Sequence, residues 1–267
     1  MQIRLLRESD IAAAMELKRS AGWNQTETDW RTLLQLEPDG CFAAVLDDQL
    51  MGTTTTTCYG SELAWIGMVL VRPDQRRKGV ATKLLDTALN YLHARVSTVK
   101  LDATADGKHV YERLGFEVES LIERWSRSGE HVGFDQELGS DFREQILQLD
   151  RFVFGADRSE LLKILLMNSC VRCSLKGYAF ARPGSDAAYV GPIVAREKDH
   201  AVELLDQLLE ALRLNPVYVD FNRNWGDCRQ LLSERGFTKQ RDLIRMKSGP
   251  AIQTSPLMFA IAGPEIG

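Results

Sequence analysis

An apolar run from Trp65 to Val71 stops at Pro73, crosses the basic turn Gln75-Arg76-Arg77-Lys78, and becomes an amphipathic helical segment at Gly79. A buried strand that feeds a helix through so short a turn aims consecutive backbone N–H groups, and the positive end of the helix dipole, at one point. That point is an anion site, and a pyrophosphate is its natural occupant. Gly79 and the small Ala81 let a phosphate come close to the backbone, and Arg76, Arg77 and Lys78 put positive charge on the rim. Neither the P-loop spacing nor the Gly-x-Gly-x-x-Gly of dinucleotide-binding turns is present.

The pattern Arg76-x-x-Gly79-x-Ala81, preceded by Val71-x-Pro73, is short, and a basic turn ahead of a helix is commonly a solvated cap. Its neighbours decide the matter. Val99 to Ala103 reads as a strand, followed by a short helix carrying Tyr111 and a turn at Gly115-Phe116. Upstream, Ile3 to Leu6 reads as a strand, Ser9-Asp10 as a cap, and the following residues to about Ala21 as an apolar-periodic helix. Cys41 to Leu46 and Leu50 to Cys58 follow as strands, Thr53 to Thr57 being β-branched.

This order of segments over residues 1–127 resembles the GCN5-related N-acetyltransferase (GNAT) family. The resemblance implies an α/β fold with a mixed, mostly antiparallel sheet flanked by helices, and acetyl-CoA as cosubstrate. It implies that Val69, Leu70 and Val71 bind the pantetheine arm and thioester carbonyl through their main chain. It places Arg76, Arg77, Lys78, Gly79, Val80, Ala81 and Thr82 around the pyrophosphate, and makes Tyr111 the general acid that protonates the departing thiolate. A phenol, with pKa ~10, keeps its proton at neutral pH; the alternative for Tyr111 is a core ring with a wetted hydroxyl. The strand position at which histone-type relatives carry a catalytic Glu falls at Trp65 here, which leaves the base open among Glu27, Asp29, Glu62 and Asp102.

The chain also repeats itself at an offset of about 118 to 124 residues. Ile66-Gly67 and Leu84-Leu85-Asp86 recur as Val190-Gly191 and Leu204-Leu205-Asp206; Val99-Lys-Leu-Asp102 recurs as Val217-Tyr-Val-Asp220; Gly115-Phe116 recurs as Gly236-Phe237. The expected division is a GNAT domain at 1–127, a linker at 128–140 and a degenerate GNAT-like domain at 141–267, with helical segments near Phe142–Leu149 and Ser159–Asn168. The second copy lacks the phosphate turn: Glu197, Asp199 and Glu203 stand where the first copy has cations, and Leu232 is near the register of Tyr111. One CoA per chain is expected, the second domain shaping the acceptor groove or an oligomer interface such as that of a homodimer.

The net charge of −4 gives no basic excess for nucleic acid, and no apolar run approaches the ~18 residues of a membrane span. The chain enters a strand directly after Met1, and its five cysteines are an odd count, so a cytoplasmic location with reduced thiols is expected. Cys170-x-x-Cys173 lies in strand-like sequence, where residues three apart face opposite ways, and no second Cys/His pair stands at ligand spacing; no metal is expected. Between two helical segments, Trp23, Asn24 and Trp30 are candidates for an acceptor groove together with Asp102, although Thr26 and Asp29 also suit a plain capping box. The expected function is acetyl transfer from acetyl-CoA to a primary amine of a small molecule or peptide by direct attack in a ternary complex. The rival is a CoA-binding sensor without turnover.

Overall fold

The computed structural model describes residues 1–133, 143–223, 228–252 and 255–267. Much of the expected linker, from residue 134 to 140, therefore lies outside the described residues, as does Phe142. The first half runs β1 (Gln2–Leu5), α1 (Ile11–Ser20), α2 (Glu27–Leu36), β2 (Phe42–Leu46), β3 (Gln49–Tyr59), β4 (Leu63–Val71), α3 (Val80–His93), β5 (Thr98–Ala103), α4 (Ala105–Arg113) and β6 (Glu117–Arg127). The second runs α5 (Arg143–Phe154), α6 (Ser159–Met167), β7 (Cys170–Ser174), β8 (Gly177–Arg182), β9 (Ala188–Ala195), α7 (Lys198–Leu212), β10 (Val217–Asn222), α8 (Cys228–Glu234), β11 (Thr238–Ser248) and β12 (Met258–Ala260).

Local chemistry accounts for the elements that frame the site. Thr26 caps α2 while the Asp29 carboxylate takes the Thr26 N–H at 2.7 Å, a reciprocal capping box. Helix α3 buries Leu84, Leu85, Ala88, Leu89 and Leu92, one face of a 3.6-residue period. Helix α7 buries Leu204, Leu205, Leu208, Leu209 and Leu212, the same face displaced by a constant 120 positions. Each helix lies against its own half of the sheet and closes one apolar core. A third core joins the halves: Trp30, Trp65 and Met68 of the first meet Phe154, Phe180 and Ile261 of the second.

The twelve strands among the described residues form one sheet, in the order β1-β2-β3-β4-β5-β11-β6-β10-β12-β9-β8-β7. At its centre the halves exchange strands. β11, from the second repeat, pairs with β5 of the first; β6, from the first, pairs with β10 of the second. Two buried ion pairs lock the exchange. Arg245 of β11 grips Asp102 of β5 at 2.9 and 2.8 Å, and Arg124 of β6 grips Asp220 of β10 at 2.8 and 2.6 Å. The four side chains are at most 5 % exposed. Their spacing follows the repeat, 118 positions between the aspartates and 121 between the arginines, so each repeat supplies half of each pair.

Candidate active site

β4 and β5 run parallel and pair only from Leu63↔Thr98 to Trp65↔Lys100. Beyond Trp65 they part, so the β5-facing edge of β4 from Ile66 to Val71 has no strand partner among the described residues, and Val69, Leu70 and Val71 lie on it. The parting coincides with a bulge: the register with β3 slips between Thr53 and Thr55, Met68 adopts φ +49°, and its carbonyl accepts from the Thr53 hydroxyl at 2.8 Å. A left-handed methionine costs roughly 1–2 kcal/mol, and strain of this kind collects at binding sites.

The chain then enters the basic turn. Arg77 at φ +61° and Gly79 at φ +81° are both left-handed, which bends the segment so that successive N–H groups face outward together. The first helical bond of α3 runs from Lys83 N–H to the Gly79 carbonyl at 3.1 Å. Among the described residues, none of the N–H groups of Arg77, Lys78, Gly79, Val80, Ala81 and Thr82 has a protein acceptor. Arg76 folds back, its Nε donating to the Val71 carbonyl at 3.3 Å, and so ties the turn to the end of β4. Six donors, a helix start and a splayed strand edge fit a pyrophosphate followed by a narrow pantetheine-like arm.

Tyr111 of α4 lies on the same side of the sheet as α3, in the core with Ala64, Ile66 and Val80. Its ring meets Phe116 edge-on at 6.1 Å, and Gly107, one turn earlier, leaves room for it. Burial pushes its phenol above the ordinary tyrosine value, so it holds its proton throughout the neutral range. Among the described residues none hydrogen-bonds its hydroxyl.

The acceptor-side candidates are spread over the opposite face. Trp23 is half-buried against the joining core, and Trp30 is fully buried in it. The Asn24 side chain donates to the Ala187 carbonyl at 2.8 Å and accepts from the N–H groups of Asp186 and Ala187, pinning the loop between β8 and β9. Asp102 has both oxygens engaged by Arg245, which also stacks on Trp65 with its carbon 4.6 Å from the ring centre. Burial raises the Asp102 carboxyl and Arg245 opposes it. Of the remaining carboxylates weighed as bases, Glu27 and Glu62 are exposed, and Asp29 is held by Thr26 and by Arg182 at 3.4 Å.

One carboxylate at this face has no counterpart in the sequence reasoning. The segment after β12 crosses the inner face to β4, where Trp65 Nε1 donates to the Pro264 carbonyl at 2.9 Å and Glu265 packs on Gly67. The Glu265 carboxylate accepts from Gln25 Nε2 at 2.8 Å and from Arg182 at 3.0 Å. Nothing in its sequence spacing ties Glu265 to the turn 190 positions earlier, so only the fold reveals it. Arg124 and Arg245 were missed as well, although their spacing of 121 positions obeys the repeat and could have found them.

The second half has the same frame in a different state. β9 and β10 pair in parallel from Ala188↔Val217 to Val190↔Val219 and then part. Here β12 fills the opening, pairing with β9 at Ile193 and with β10 at Phe221, and Ile261 N–H extends the contact to the Asp220 carbonyl at 3.1 Å. The connection from β9 to α7 is only Arg196 and Glu197, with Glu197 as N-cap and Asp199 in the first turn. The cleft that is open in the first half is occupied by the chain itself in the second.

Burial pushes the Cys41 and Cys58 thiols up to about 12 and raises Cys228 above its ordinary value. All five cysteines are unbridged, and no group of three or more metal-ligating side chains occurs among the described residues. None of their helices is long and apolar enough to cross a membrane.

Known proteins agree with this geometry. The acetyltransferase (GNAT) family profile matches residues 10–116, and an acetyltransferase (GNAT) domain profile matches residues 146–256. The chain is 27 % identical to the uncharacterized N-acetyltransferase YitH of Bacillus subtilis (strain 168), over 98 % of this chain and 97 % of that one. Its fold superposes on a putative acetyltransferase from Pyrococcus horikoshii with a TM-score of 0.85 at 20 % identity, covering 100 % of this chain and 95 % of the other. It also superposes on a tandem GNAT protein from the clavulanic acid biosynthesis pathway, with a TM-score of 0.64 at 12 % identity over 94 % and 99 % of the two chains. The chain belongs to the GNAT acetyltransferases, as a two-domain acyltransferase of that family.

Proposed function

We propose that this enzyme transfers the acetyl group of acetyl-CoA to a primary amine by direct attack within a ternary complex, using the first half's cleft alone. The observation that carries the reading is the run of six unpaired N–H groups at the start of α3, continuous with the free edge of β4. The N–H groups of residues 77–82 bind the pyrophosphate, with Arg76 and Lys78 lending charge at the rim. The free main chain of Val69, Leu70 and Val71 holds the arm and donates to the thioester oxygen, where charge develops on attack. Acetyl-CoA supplies an acyl group already activated as a thioester.

Tyr111 gives its proton to the sulfur as the C–S bond breaks; a buried phenol that stays protonated suits an acid rather than a base. Burial raises the thiols of Cys41, Cys58 and Cys228, so these three are poor nucleophiles. Trp23 and the α1–α2 loop border the acceptor's approach. The test is steady-state release of free CoA thiol with a panel of polyamines, amino acids, aminoglycosides and peptide N-termini. Thiol release that depends on one amine class is expected; binding of acetyl-CoA with no acceptor-dependent thiol would overturn the reading.

A further inference from the structure

The reaction just proposed leaves one proton unassigned. A lysine-like amine has a pKa of ~10.4 and reacts through its neutral form, so nitrogen must shed a proton on the way to the amide. Of the first half's carboxylates weighed as bases, Glu27 and Glu62 are exposed, and Asp29 and Asp102 are engaged on both oxygens. Glu265 also has both oxygens engaged, by Gln25 and Arg182, but it differs in three ways.

Its position is the first. A Cβ added to Gly67 would lie 2.6 Å from the Glu265 carbonyl oxygen, 2.9 Å from its Cα and 3.0 Å from its Cβ. Gly67 is the second residue beyond the last β4–β5 pair, so Glu265 sits at the root of the opening. Its surroundings are the second. Glu265 lines a small polar crevice together with Gln25, Asp29, Arg124, Arg182 and Tyr189. The Gln25 amide is oriented by its N–H···Glu265 bond, which leaves Gln25 Oε1 buried in this crevice without a donor, although the residue is only 8 % exposed. A buried acceptor with no partner beside a carboxylate calls for an N–H or O–H donor. The third is charge. Asp29 and Glu265 share Arg182 as ion-pair partner, while Arg124 is engaged by Asp220.

We propose that Glu265, carried on the segment after β12, is the proton acceptor for the attacking amine. The assignment rests on the acetyl-transfer reading above. The amine's lone pair forms the N–C bond to the acetyl carbonyl carbon, and the C–S pair leaves on sulfur, which takes the Tyr111 proton. The N–H proton passes to the Glu265 carboxylate, directly or through one water hydrogen-bonded to Gln25 Oε1. Glu265 then releases it to bulk water and Tyr111 recovers one, so the net products are the amide and free CoA thiol. Burial raises the Glu265 carboxyl above the ordinary glutamate range; Arg182 and the Gln25 hydrogen bond oppose the rise, and Asp29 adds to it. Arg124, Tyr189 and Tyr59 also lie within its field. A base so raised matches a neutral-pH reaction better than a free carboxylate.

The test is the pH dependence of kcat at saturating acceptor for the wild type, Glu265→Gln and Glu265→Asp, with acetyl-CoA affinity measured on each. Glu265→Gln is expected to lower kcat by roughly 10²- to 10⁴-fold with acetyl-CoA affinity unchanged, and to remove the acid limb due to the carboxyl. Glu265→Asp, which keeps the charge, is expected to move that limb to lower pH and to serve if the Gln variant does not fold. A limb unmoved in Glu265→Asp, or a Gln variant within threefold of wild type, would overturn the assignment while leaving acetyl transfer standing. Wild-type protein that releases no thiol with any amine would overturn both.

Discussion

Replacing Arg245 by Met probes the strand exchange on which the site is built. The Asp102 side chain has no exposed surface and that of Arg245 has 5 %. Methionine keeps most of the packing on Trp65, so the loss is mainly the partner of a buried carboxylate. Breaking such a pair from one side costs about 3–5 kcal/mol, since the remaining charge is left without compensation. In a chain of this size each kcal/mol is worth roughly 2–4 °C, so the melting temperature should fall by roughly 6–20 °C. The double variant Asp102→Leu/Arg245→Met removes both charges and should regain most of the loss, because a well-packed apolar pair is often as stable as the ion pair. Calorimetry and urea midpoints on the four proteins of the cycle would measure the coupling. A coupling below about 0.5 kcal/mol would refute the reasoning, for it would place the pair among weak surface contacts. Two separate transitions in the wild type would also refute it, because strands shared across the halves should make them unfold together.

Four further outcomes follow from the site. Gly79→Glu should abolish acetyl-CoA binding in calorimetry by adding negative charge at the donor run, whereas Gly79→Asn, a residue that tolerates φ near +81°, should retain measurable affinity. Tyr111→Phe should lower turnover by roughly ten- to ten-thousand-fold with acetyl-CoA affinity little changed, and wild-type turnover would remove Tyr111 from the mechanism. Burial alone would raise the Glu123 carboxyl, but the hydrogen bonds from Arg229 and Lys239 prevail and hold it below the usual range. Its contribution to stability should be fully present above about pH 4.3 and disappear as pH falls through the folded-state pKa, so Arg229→Ala and wild type should differ near neutrality and converge in acid denaturation; a constant difference would contradict this. A chain carrying both Gly79→Glu and Glu265→Gln should be no less active than Gly79→Glu alone, since neither step can begin without the cosubstrate.

The framework of the site was legible because it is written in local chemistry. The β4 run, the basic turn and the α3 stripe are contiguous, and each declares itself by periodicity or by glycine. The Thr26–Asp29 box and the strand at Cys170–Ser174 were readable for the same reason. The repeat was legible through its nearly constant offset, and that offset contains Arg124 and Arg245 as well. What the offset cannot convey is the pairing: β6 and β11 carry equivalent residues, so sequence alone does not distinguish strands kept within a repeat from strands exchanged between repeats. Met258–Ala260 is short and apolar and gives no sign that it enters the second opening. Glu265 is the extreme case, for its role depends on a crossing of the inner face that no local pattern encodes. Trp30 shows the opposite limit, its sequence context fitting a groove wall or a plain capped turn, until packing places it wholly in the core.

The central claim is that one half of this chain binds the cosubstrate and the other has closed its own cleft. It is tested most directly by titrating acetyl-CoA into the purified full-length protein and counting sites by calorimetry, alongside Gly79→Glu. The account predicts one equivalent per chain, lost entirely in the variant, because β12 fills the second opening and Glu197 and Asp199 stand at the start of α7. Two equivalents in the wild type, or one equivalent surviving in Gly79→Glu, would contradict it.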